Sequence, residues 1–232
     1  MIAAARRAPW RSALGAVLLV ALAARLVGLG WGLPASDGWD DDGVAPRDFL
    51  VGVVETYTWG HHATYPPLQM ILLAIATAPV WIVALLRAPS LAPTALVAAF
   101  IQVPTMTALA VIARAVTVAM SLGVLWNMAT IGATLGGSRR AGAWTAASCA
   151  VGSVFTYYSQ TSNLDVPYLF WGALSVRRLV EAIAGREPRR LRGALLFAAL
   201  AVCTKDQAYA LFVLSVPLAV GAWLLLDPPR GA

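Results

Sequence analysis

Charge is scarce in this chain of 232 residues. Only 12% of them are Asp, Glu, Lys or Arg, while 59% are hydrophobic, and the mean hydropathy is +0.72. Water-soluble domains carry about 25% charged residues, so the composition reads as an integral membrane protein. Cysteine is nearly absent. Cys149 and Cys203 both fall in apolar segments without metal-type spacing, and they read as small packing residues. No internal repeat and no water-soluble domain is visible. The formal net charge of +6 does not point to nucleic acid. The basic residues cluster in loops that flank apolar segments, which is a topology signal.

Acidic residues number eleven, and five of them stand in Asp37-Gly38-Trp39-Asp40-Asp41-Asp42-Gly43-Val44-Ala45-Pro46-Arg47-Asp48. Asp, Gly and Pro favour turns, so a solvated loop is one reading of this stretch. The other is a carboxylate cluster at the mouth of a helix bundle, placed there for chemistry.

Arg6, Arg7 and Arg11 precede an apolar run over 12–33 that is broken only by Arg25. The run exceeds the apolar core of a signal peptide, about 7–15 residues, and so predicts an uncleaved first span with a cytoplasmic N-terminus. Arg25 falls in its outer half. An arginine there marks a partner or an aqueous cavity, or else snorkels to the interface. Residues 34–111 then form a first outer loop. It holds the acidic stretch, Glu55, His61-His62, and Thr64-Tyr65-Pro66-Pro67-Leu68 opening an apolar run that Arg87 closes. A weaker apolar stretch over 91–113 carries Pro93 and Pro104. Arg114 follows, and a clear span continues to about residue 135.

Two basic loops set the parity. Gly136-Gly137-Ser138-Arg139-Arg140 and the six-arginine stretch 177–192 are both placed in the cytoplasm. Residues 68–113 must therefore cross zero times or twice. Length favours a hairpin turning near Arg87, whereas the prolines and the weak second arm favour a segment that dips into the outer leaflet. Beyond them, 141–158 runs outward, 159–165 is an outer loop, 166 onward returns, 193–204 runs outward and 208–226 returns. Asp227-Pro228-Pro229-Arg230 ends in the cytoplasm. The expected fold is all-α: a polytopic transmembrane helix bundle of about six spans. Juxtamembrane or re-entrant helices occupy the first outer loop, and residues 1–232 form one transmembrane domain.

Two segments are short. Residues 166–176 and 194–204 each reach about 17 Å at 1.5 Å per residue, less than a hydrocarbon core of about 30 Å. Either the neighbouring arginines snorkel inward, or Asp165 and Lys205 sit below the outer surface in a cavity. The outer side thus collects Asp40, Asp41, Asp42, Asp48, Glu55, His61, His62, Arg114, Asp165, Lys205 and Asp206. Positive-inside does not require this gathering of acids. A carboxylate there can act as general base on a hydroxyl or amine, and Lys or Arg can hold a phosphate. Asp42, His61, His62 and Asp165 are also candidate ligands for a divalent cation such as Mg or Mn. Simpler roles exist as well: Asp165 as the N-cap of the helix beginning near Val166, and Lys205 as an interfacial lysine.

Several motifs, taken in order, resemble a known family. They are an apolar first span with an arginine, Gly-Leu-Pro at 32–34, the acidic loop, Tyr65-Pro66-Pro67-Leu68, an arginine opening a span, and Gly137-Ser138-Arg139-Arg140-Ala141-Gly142. Tyr157-Tyr158-Ser159-Gln160-Thr161-Ser162-Asn163-Leu164-Asp165-Val166-Pro167-Tyr168-Leu169-Phe170-Trp171 and Thr204-Lys205-Asp206-Gln207-Ala208-Tyr209 complete the set. Over about residues 12–210 the chain looks like the N-terminal module of the C-type (GT-C) membrane glycosyltransferases. The nearest branch is that of the protein O-mannosyltransferases and lipid A aminoarabinose transferases.

The resemblance implies inverting transfer of a sugar from a polyprenyl-phosphate donor to a lipid, glycan or protein acceptor, on the outer face of the cell (inner) membrane. It also supports the dipping version of the first loop. The family's Asp-Glu pair falls on Asp41-Asp42 or Asp42-Gly43, making Asp42 the first choice for catalytic base and Asp41 the second; the Glu is missing. Asp165 matches the second family acid and Lys205 the lysine facing the donor phosphate. Arg114 is a further phosphate contact. The chain is shorter than family members, which predicts a fragment, a truncated product or one half of a split enzyme that a second chain completes. Two other classes compete: a non-catalytic subunit of a membrane complex, and a transporter component with Asp165, Lys205 and Arg25 along its pathway.

Overall fold

The computed structural model describes residues 9–34, 44, 46, 48–58 and 65–226, the side chains of 9–12, 52, 55 and 56 excepted. Among these residues there is no strand, and eleven α-helices account for most of the chain. They are α1 (Pro9–Gly28), α2 (Asp48–Thr56), α3 (Leu68–Arg87), α4 (Pro93–Phe100), α5 (Val103–Leu135), α6 (Arg139–Ala150), α7 (Ser153–Tyr158), α8 (Asp165–Gly185), α9 (Leu191–Val202), α10 (Tyr209–Val213) and α11 (Ser215–Leu226). Single 3-10 turns at Pro188–Arg190 and Asp206–Ala208 lead into α9 and α10. Three stretches are long and apolar enough to cross a membrane: Leu68–Arg87, Val103–Leu135 and Asp206–Leu226. Ala13–Gly28 is a shorter apolar helix.

The centre of the bundle is α5. Its 33 residues reach about 50 Å, and it packs against α1, α3, α6 and α8. Buried positions are spread around it rather than along one stripe, as expected of a helix enclosed on several sides. Pro104 lies in its first turn, where a missing N–H costs nothing. The helix therefore runs unbroken through Arg114, where the residue pattern predicts the opening of a span. Arg114 is an interior residue of α5 and is buried. Preceding it, α3 has the length of a full span and is followed by the eight-residue α4, which also starts on a proline.

Two expected spans are broken. Residues 141–158 divide into α6 and α7 at Val151 and Gly152: the Val151 amide still donates to the Ala147 carbonyl, and the extended backbone of Gly152 then takes the chain out of the helix. Residues 208–226 divide at Leu214 into α10 and α11, and Trp223 is the only buried side chain of α11. The second basic stretch closes on itself. Glu181 accepts from Arg177 at 2.7 Å and from Arg178 and Arg190 at 3.1 Å, and Arg177 also reaches Asn127 of α5 at 3.2 Å. Arg190 pairs with Glu187 at 2.8 Å. This acidic hub holds one end of α8, about 24 Å from Asp165 at the other end.

Candidate functional site at the Asp165 end of the bundle

Five segments meet at the opposite end. Val44, Phe49 of α2, Leu73 of α3, Leu109 and Ala113 of α5, and Leu164 form one buried apolar cluster, with Tyr65 and Trp81 packed against it. Phe49 is fully enclosed. Burying a large aromatic side chain is worth about 1.5–3 kcal/mol, which seats the segment after the acidic stretch on the bundle. Hydrogen bonds then set its register. The Val44 amide donates to the Ser162 carbonyl at 3.3 Å, and the Ser162 hydroxyl donates to the Val44 carbonyl at 2.9 Å. The Leu68 amide donates to the Cys203 carbonyl at 3.1 Å, tying the Tyr65-Pro66-Pro67 segment to the end of α9.

Asp165 and Lys205 come together there. Lys205 Nζ donates to Asp165 Oδ1 at 2.8 Å, with side chains 12% and 23% exposed. The same Nζ lies 5.8 Å from the ring centres of both Tyr65 and Tyr168, within cation–π range. Burial pulls the Lys205 ammonium below its ordinary pKa. The hydrogen bond and charge of Asp165, with Tyr65 and Tyr168, outweigh it, so the net displacement is upward. The lysine is a charged donor held among aromatic faces.

Asp165 is not the N-cap of α8. It occupies the first helical position, and Leu164 stands at the cap without a side-chain hydrogen bond. The Asp165 amide donates instead to Asn163 Oδ1 at 2.6 Å. Asn163 thus takes the capping work and leaves the Asp165 carboxylate to Lys205. Nor is Lys205 a snorkelling surface lysine, since its tip is turned inward onto a carboxylate.

Arg114 is elsewhere on this end. Its Nη1 donates to the Leu29 carbonyl at 2.8 Å and the Trp31 carbonyl at 2.7 Å. These are carbonyls just past α1, where acceptors are left over at a helix end, so this part of the guanidinium braces backbone. Asp41, Asp42, His61 and His62 lie outside the described residues, as do Asp40 and the side chain of Glu55. Among the described residues, no group of three or more His, Cys, Asp or Glu side chains converges on a metal-sized site.

Beside the pair is a groove of about 680 Å³ between α7 and α8, lined by Gly152, Phe155, Tyr158, Asp165 and Tyr168 among others. Gly152, at the junction of α6 and α7, is part of its wall. Tyr65, Tyr168, Asn163, Ser162 and Phe155 were not singled out as site residues in the sequence. The signals were present only as motif neighbours of Asp165 and Lys205, because aromatic and amide residues at helix ends are common without function. No protein-family model, no curated protein and no solved structure matches this chain.

Proposed function

We propose that this chain is a membrane-embedded transferase that moves a sugar from a polyprenyl-phosphate donor to an acceptor at the outer membrane face. The observation that carries this reading is the Lys205–Asp165 pair between two tyrosine faces, at the rim of the 680 Å³ groove. Val44 ties the acidic segment to the same bundle end, and Asp42 is only two residues earlier in the chain. The groove is lined mostly by apolar residues, and its one charged lining residue, Asp165, carries the Lys205 ammonium. An apolar groove with a cation held beside it suits an amphiphile with a long apolar tail and an anionic head.

In this reading Asp42, or failing it Asp41, removes the proton from the acceptor hydroxyl or amine. The acceptor atom attacks the anomeric carbon from the face opposite the phosphate. A new bond to the acceptor forms as the carbon–oxygen bond to phosphate breaks, and polyprenyl phosphate leaves with the electron pair. Lys205 neutralises that departing charge. Asp165 holds the lysine in place until the donor arrives. Arg114 serves the site by positioning the end of α1. Asp42, His61, His62 and Asp165 are the residues that would hold a divalent cation, which would screen the phosphate. The six spans of this reading are α1, α5, α6–α7, α8, α9 and α10–α11, with both termini cytoplasmic and α2 to α4 in the first outer loop.

The test uses purified protein in nanodiscs, a polyprenyl-phosphate sugar, and detection of released polyprenyl phosphate. Turnover that is lost in Asp42→Asn while donor binding persists supports the base assignment. Loss of donor affinity in Lys205→Ala supports the phosphate assignment. Absence of donor binding by the wild type would remove the transferase reading.

A further inference from the structure

Arg25 is the one large cation of α1 whose side chain is described, and it is completely enclosed, with 0% exposure. It therefore does not snorkel. Nη1 donates to the Ala21 carbonyl of its own helix at 3.0 Å, and the guanidinium lies 5.1 Å from the centre of the Phe155 ring. Nε and Nη2 are buried with no hydrogen-bond partner. No ion pair with Arg25 occurs among the described residues. A buried cation in this state is costly. One cation–π contact and one helix carbonyl do not replace the hydration of a full guanidinium charge.

The surroundings identify what is missing. Phe155 belongs to α7 and lines the groove between α7 and α8, so the residue whose ring contacts the guanidinium is also part of the wall of that 680 Å³ space. The loop after α7 is pinned to α1 close by. Gln160 Nε2 donates to the Ala24 carbonyl at 3.0 Å, and the Gln160 side chain lies where a Cβ on Gly28 would be. Across the groove, the Asp165 carboxylate is already neutralised by Lys205. The Nε–H and one N–H of Nη2, neither of them used, form a planar fork suited to two oxygens of a phosphate.

We propose that Arg25 is a binding residue for the phosphate headgroup of a lipid seated in the α7–α8 groove, exposed when the Phe155 ring rotates off the guanidinium. Lys205 approaches the headgroup from the α8 side and Arg25 from the α7 side. The apolar lining takes the chain. The inference rests on the groove being the lipid-phosphate site of the proposed function, and the test separates the two.

The full chain in nanodiscs is titrated with farnesyl phosphate, with farnesol as the uncharged control and with inorganic phosphate as competitor. The readout is the ratio of farnesyl phosphate to farnesol affinity, which isolates the headgroup from the tail. Arg25→Gln is expected to lower that ratio at least tenfold, and Arg25→Lys by less. Phe155→Leu, which leaves the cation in place and removes the ring above it, is expected to raise the ratio several-fold. It carries the test alone if Arg25→Gln does not fold. An unchanged ratio in Arg25→Gln with a reduced one in Lys205→Ala would overturn the role of Arg25 and leave the transferase reading intact. An unchanged or lower ratio in Phe155→Leu would overturn it likewise. Inorganic phosphate competing at the concentration of farnesyl phosphate would show a site for the free anion and not a lipid. A wild type that binds farnesyl phosphate no better than farnesol would remove both readings together.

Discussion

Lys205 Nζ meets Asp165 Oδ1 at 2.8 Å across one chain reversal, the lysine just past the end of α9 and the aspartate at the start of α8. Neither charge has an i,i+4 neighbour of opposite sign, so the pair exists only because α8 and α9 pack side by side. Ser175 supports the same packing by donating to the Ala194 carbonyl at 2.7 Å.

The pair is predicted to be coupled. Lys205→Met and Asp165→Asn should each destabilise the folded chain by about 1–3 kcal/mol, between the values for exposed and fully buried pairs. The double variant should lose clearly less than the sum. Thermal unfolding in detergent micelles checks this, and strict additivity would show that the two groups do not interact.

The pH dependence follows from the direction of the Lys205 displacement. Its folded-state pKa is raised above the ordinary lysine value of 10.5. The folded state therefore holds the proton more tightly than the unfolded chain. The stabilisation is complete below that value and is lost as pH rises through the raised one. Melting curves from pH 7 to 9 should show no loss from this group, and above about pH 10.5 the wild type should lose stability faster than Lys205→Met.

Two glycines should respond oppositely to alanine. A Cβ at Gly142 would lie 2.3 Å from the Ala129 carbonyl oxygen, a backbone atom of α5 that cannot swing away. Gly142→Ala should force α5 and α6 apart and cost about 1–3 kcal/mol. At Gly15 of α1 nothing lies within 4 Å, so Gly15→Ala should be neutral or stabilise by about 0.5–1 kcal/mol. Equal effects at the two sites would contradict the close approach of α5 and α6.

At the other end of the bundle, Glu181→Gln removes the carboxylate on which Arg177, Arg178 and Arg190 converge. The loss should exceed that of Glu187→Gln, because Glu187 is half exposed and serves Arg190 at the surface. Limited proteolysis between α8 and α9 should read this as faster cleavage near residues 186–190.

Much of the architecture was legible in residue order. Apolar runs of span length mark α3 and the later part of α5, and Pro66-Pro67 stand directly before α3, because hydropathy and proline act locally. Pro93 and Pro104, which weaken the 91–113 stretch as a span, lie instead in the first turns of α4 and α5. The continuity of α5 through Arg114 was not legible. An arginine inside an apolar run looks like a boundary until carbonyls at Leu29 and Trp31 are placed to receive it. The break between α6 and α7 was hidden for a similar reason. Gly152 takes the chain out of the helix without any charge or proline to announce it.

The sequence by itself determined that the chain is helical and apolar enough for a membrane, and that its acids and basic loops alternate along its length. Those properties depend on composition and on neighbours within a few residues. Only the tertiary structure decided that Lys205 belongs to Asp165, that Asn163 and not Asp165 bonds the first amide of α8, and that Arg25 is enclosed behind Phe155. Each depends on which helices lie side by side, and that is set by the summed burial of faces far apart in the chain.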